Sequence, residues 1–116
     1  MNPFPAEHDL ISLFEAEPTL LDIGVPWVYN HLTFETRRVE DHLVCEIEPA
    51  SRHLRVTWER SGTELVRLDI FRVAGLMVEA ERGREALVAT FGDSQLSNLR
   101  LQLRPSLHVS WGNDPD

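Results

Sequence analysis

The chain has 116 residues, 42% of them apolar and 26% charged, with a net charge of −8. That is enough for one domain with its own core, and a single cysteine excludes an internal disulfide. The acidic balance disfavours nucleic acid backbone and anionic lipid, and no apolar stretch reaches bilayer length. All eleven basic residues are arginine, which excludes a Schiff-base or phosphate-loop lysine.

Residues 5–16 read as a short helix. Pro5 suits the first turn, Glu7 and Asp9 suit the positive end of the helix dipole, and Pro18 stops it. Ala6, Leu10, Leu13 and Phe14 fall on one side, with His8, Ser12 and Glu15 opposite. The start, Met1-Asn2-Pro3-Phe4-Pro5-Ala6-Glu7, lacks the basic-then-apolar pattern of a signal peptide, so a cytoplasmic protein is expected. Residues 18–27, ending Gly24-Val25-Pro26-Trp27, read as an irregular connection.

From there to Trp111 apolar and polar residues alternate, the mark of strands with one face on a core and one in water. Registers follow from the pattern. Leu32 with Ile47 and Phe34 with Cys45 pair the first two long strands. Leu43 with Trp58, Cys45 with Val56 and Ile47 with Leu54 pair the next two, leaving a loop Pro49-Ala50-Ser51-Arg52. That register sets His42 against Glu59, Glu46 against Arg55 and Glu48 against His53, so charge and core patterns agree. A turn at Ser61-Gly62-Thr63 would pair Trp58 with Val66 and set Arg55 beside Asp69, giving a Glu46, Arg55, Asp69 ladder on the outer face. Gly83-Arg84 suits a two-residue turn pairing Val78 with Ala89 and Leu76 with Phe91. A last turn at Arg104-Pro105-Ser106 sets Leu101 against Val109, and residues 112–116 read as a frayed tail.

The expected fold is therefore mainly β with one N-terminal helix. A single domain, residues 1–116, carries an antiparallel meander of seven or eight strands over 28–111 as a strongly bent sheet, open barrel or small sandwich. Trp58 and Trp111 take the inward parity, and Cys45 reads as a buried filler rather than a nucleophile.

Chemistry-bearing groups are few. No Gly-x-Ser-x-Gly, His-Glu-x-x-His or glycine-rich phosphate loop occurs, and no catalytic residue or cofactor is assigned. His31, Glu48 and His53 form an outward row across three strands that would ligate a divalent metal, the basis of an alternative reading as a small metal-dependent enzyme. The other reading of that row is a solvated sheet face. A ligand-binding barrel with a cavity behind Cys45, Val56 and Leu68 is a further alternative, and edge-strand pairing would give a homodimer. Trp27 and Tyr29, beside an irregular loop, are candidate interface anchors, although Trp27 would also cap the core. No arginine or lysine precedes Arg37, while Glu7, Asp9, Glu15, Glu17, Asp22 and Glu35 do. This concentrates negative potential where a basic protein partner would be steered.

The helix around Leu10-Ile11-Ser12-Leu13-Phe14, Glu17-Pro18 after it, and strands such as Leu65-Val66-Arg67-Leu68-Asp69-Ile70 together resemble the layout of small bacterial immunity proteins of polymorphic toxin systems. The resemblance implies a cytoplasmic, acidic inhibitor that binds and blocks one cognate toxin. It transfers no functional residue by position. The expected function is occlusion of a protein partner, through Glu7, Asp9, Glu15, Glu17, Trp27 and Tyr29.

Overall fold

The computed structural model describes residues 1–92 and 96–112. Among these residues it has one α-helix, two antiparallel sheets of five and four strands, and no closed barrel. Among the described residues nine strands form where seven or eight are expected. The additional one is a two-residue strand inside the segment read as irregular. The chain divides into two compact units, Phe14–Arg72 and Met1–Leu13 with Val73–Asp116.

In the first unit, β1 (Thr19–Leu20), β2 (Leu32–Arg37), β3 (Asp41–Glu48), β4 (His53–Arg60) and β5 (Thr63–Ile70) pair in sequence order. Every register expected for β2 to β5 is present, from Leu32 with Ile47 to Trp58 with Val66. One face buries Leu32, Phe34, Leu43, Cys45, Ile47, Leu54, Val56 and Ile70. Phe14 stacks on Phe34 with ring centroids 4.5 Å apart, and the Thr36 hydroxyl donates to the Phe14 carbonyl at 3.1 Å. Burial pushes the Cys45 thiol pKa far up, as an apolar environment disfavours the thiolate.

The β4–β5 turn differs in detail. It is Ser61-Gly62, both at positive φ, with Arg60 opposite Thr63. The residue left over by this tighter turn is absorbed in a bulge after Trp58, and Leu65 is exposed there. Trp58 is half-buried rather than enclosed. Its indole N–H donates to Asp41 at 2.8 Å, and Arg60 lies over its ring.

In the second unit, β6 (Val73–Glu81), β7 (Arg84–Phe91), β8 (Leu99–Arg104) and β9 (His108–Trp111) again pair in order. Here one register is corrected. Val78 pairs with Leu87 and Leu76 with Ala89, because the turn is Arg82-Gly83 with φ of 54° and 78°. Two successive left-handed residues make a turn whose twist matches the strands, and glycine takes its second position rather than its first. The slip is two residues, so each side chain keeps its face. Leu101 pairs with Val109 as expected.

Trp111 is also corrected. It is 45% exposed on edge strand β9, stacks on Phe91 and donates its indole N–H to the Ser97 carbonyl at 2.9 Å. At the N-terminus, Asn2 donates to Ala74 and Leu76 to Pro3, so this segment runs against β6. A side chain on Gly75 would meet the Pro3 ring at 2.7 Å, which is why the closest approach falls on a glycine.

Helix α1 spans Glu7–Phe14, inside the expected 5–16. Leu10, Leu13 and Phe14 are buried, but Ala6 is exposed. The helix ends where Glu15 turns left-handed at φ 57°. No basic residue occupies its last turn; instead the Arg104 guanidinium, from β8, donates to the Ser12 and Leu13 carbonyls at 3.1 Å each. Of the tail expected at 112–116, residues 113–116 lie outside the described residues.

Candidate functional site

The segment joining β1 to β2 is a built loop. Leu21 donates to the His31 carbonyl at 3.1 Å, extending the pairing of the two strands by one bond. Asn30, 4% exposed, fills the middle. Its side-chain nitrogen donates to the carbonyls of Asp22 and Val25, at 2.6 and 2.9 Å. Its side-chain oxygen accepts from the amides of Asp22 and His31, at 3.2 and 2.9 Å. The Asp22 carboxylate in turn accepts from the Gly24 amide at 3.1 Å, an Asx turn. Residues 27–29 form a 3-10 turn set against a second one at Pro49–Ser51.

What this loop presents is apolar. Leu21 is 82% exposed, Ile23 89%, Val28 47% and Tyr29 73%. Trp27, by contrast, is half-buried and meets Phe34 edge-on at 6.1 Å, so its ring serves the core. Glu15 and Glu17 precede the loop and are exposed. Glu7 and Asp9 are exposed in the first turn of α1, in the other unit, where Asp9 has His8 at 3.4 Å. Sequence reasoning singled out Tyr29 but missed Leu21, Ile23 and Val28. The available signal was Leu21 and Ile23 in a stretch bounded by Pro18 and Pro26 that has no strand or helix period, with Val28 just beyond it.

A chain of charged groups crosses the outer face of the same unit's sheet. His31 is clamped between two carboxylates, with Nδ1 3.0 Å from Glu48 and Nε2 3.0 Å from Glu46. Arg55 stands 3.7 Å from Glu46 and 3.7 Å from Asp69, forming the expected ladder. The hydrogen bond that His31 donates to the Glu48 carboxylate raises the His31 pKa against the opposing effect of burial, with Glu46 adding to it. The same contact, helped by the Ser51 hydroxyl, lowers that of Glu48.

The row His31, Glu48, His53 does not converge. His53 pairs with Asp69 and stacks flat on Phe71, with ring centroids 4.3 Å apart. Glu48, although paired with His53 in register, makes its histidine hydrogen bond to His31. Among the described residues, no three His, Cys, Asp or Glu side chains are grouped to hold a metal ion. His42 Nε2 lies 3.4 Å from Glu35 without hydrogen-bond alignment.

In the other unit, Glu79, Glu81, Arg82, Arg84, Arg100 and Gln102 line a shallow hollow on the sheet, with Arg100 paired to Glu79. No helix among the described residues is long and apolar enough to cross a membrane.

No protein-family model matches the sequence. No curated protein matches it either. Among solved structures, a chain of a "Contact-dependent growth inhibition toxin - immunity protein complex from Klebsiella pneumoniae 342" superposes with a TM-score of 0.80. The match covers 94% of this chain and 94% of that one at 14% identity. At that identity it is the fold that is shared, and it agrees with the resemblance to immunity proteins read from the sequence.

Proposed function

We propose that this chain is an immunity-type protein, a small acidic inhibitor that covers and neutralises one cognate toxin in the cytoplasm. The observation that carries the reading is the end-to-end fold likeness to a chain of a toxin–immunity complex. The net charge of −8 supports a partner with a basic surface, because opposite potentials steer encounter and suppress wrong partners. Glu7, Asp9, Glu15 and Glu17 supply the steering charge, while Tyr29 and the exposed edge of Trp27 supply contact area.

The test is genetic. Deleting the gene should make the source organism sensitive to growth inhibition by its own unmodified siblings, and expression from a plasmid should restore resistance. A deletion strain that grows undisturbed among wild-type siblings would remove the proposal. Reversing the four acidic residues together should weaken protection and binding, and unchanged affinity would show that contact lies elsewhere.

A further inference from the structure

We infer that the loop Leu21–Tyr29 is the anchor of the partner interface, an apolar plug that enters a cleft rimmed by arginine or lysine on the toxin. This rests on the immunity reading and names the contact within it.

Single exposed apolar residues are ordinary on any protein. Four within nine positions, two of them more than four-fifths exposed, are not. Nor is the loop loose. Asn30 satisfies two carbonyls and two amides at once, and the Asx turn at Asp22 fixes the bend between Leu21 and Val25. A contact surface ordered before binding loses little entropy on binding, so its apolar area converts efficiently to affinity. Hot spots sit in well-packed, desolvated pockets surrounded by near-neutral contacts that exclude water, and Tyr29 is of a residue type enriched among them.

The acidic residues choose the occupant. Asp22 lies within the plug, the exposed Glu15 and Glu17 precede it in the chain, and no arginine lies within the segment 1–36. A second copy of this chain would bring those same carboxylates against each other across a two-fold axis, which like-charge repulsion opposes. An anionic lipid surface is disfavoured for the same reason. A protein cleft with an apolar floor and a basic rim satisfies both the side chains and the charge.

The probe is the toxic domain of the source organism's own contact-dependent inhibitor, titrated calorimetrically with the full chain. The Leu21→Ser/Ile23→Ser variant should bind roughly 30-fold or more weakly, with an unchanged urea midpoint because both residues are exposed. Asn30→Ala, which leaves every contact side chain in place, should also weaken binding. The inference is overturned if the double variant binds as tightly as wild type. It is also overturned if light scattering shows a wild-type dimer that the double variant converts to monomer. Failure of wild type itself to bind the toxic domain would instead strike the immunity reading beneath it.

Discussion

Asn30 grips Asp22 by both of its backbone groups, donating to its carbonyl at 2.6 Å and accepting from its amide at 3.2 Å. This reciprocal pair, eight residues apart in sequence, turns a stretch with no regular period into a defined surface. The surface proposed to meet the partner is therefore held in shape by a buried amide.

Replacing Asn30 by alanine leaves two carbonyls and two amides without their partner. The expected cost is about 1–3 kcal/mol of folding stability. Amide exchange should accelerate most at Asp22 and His31, whose N–H groups Asn30 now holds, and at Leu43 or Val56 by no more than the global loss of stability allows. Unfolding in urea and residue-resolved hydrogen exchange check both parts.

The His31–Glu48 pair makes stability depend on pH in a defined direction. The His31 pKa is raised, so its contribution is full below the ordinary value of 6.5 and fades as pH rises through the raised value. The Glu48 pKa is lowered, so its contribution is full above the ordinary 4.5 and fades as pH falls through the lowered value. The urea midpoint of wild type should therefore exceed that of His31→Gln most between pH 4.5 and 6.5, the gap narrowing on both sides. A gap that is constant with pH would count against the pair.

Gly75→Ala tests the docking of the N-terminal segment on β6. The new methyl would lie 2.7 Å from the Pro3 ring and 2.8 Å from the Asn2 carbonyl oxygen, so backbone must shift. A loss of about 1–3 kcal/mol is expected from such overpacking. Gly62→Ala, where nothing lies within 4 Å, is a control for the left-handed backbone alone.

Arg104→Met keeps the apolar stem and removes the donors that close the end of α1. The Ser12 and Leu13 carbonyls would lose their partner, and Glu85, whose pKa Arg104 lowers, would lose its own. The expected loss is about 1–2 kcal/mol, with helix signal melting before strand signal. Circular dichroism followed through thermal unfolding distinguishes the two.

The strands of the first unit were legible because two independent patterns had to agree. Leu43, Cys45 and Ile47 fix one face, while Glu46 against Arg55 and Arg55 against Asp69 fix the pairing. The β6–β7 hairpin lacked that second pattern, and its register hung on how Gly83 is used in the turn. Arg82 accepting a left-handed φ settled it two residues away. The divergence of His53 from Glu48 has a similar origin. Register brings both within reach, but a histidine chooses among neighbours by geometry, and Asp69 with Phe71 offered both a bond and a stacking surface.

Period and charge along the chain were thus enough to determine the helix, the antiparallel meander, the outward histidines and the acidic first third, because each is a local pattern repeated many times. Tertiary structure alone decided that two sheets form, that Trp27 turns inward onto Phe34 while Leu21 and Ile23 stay in water, and that His31 rather than His53 takes Glu48. Those outcomes turn on single side chains competing for partners that are distant in sequence. A periodic pattern says which face a residue takes, and only the packed structure says what waits for it there.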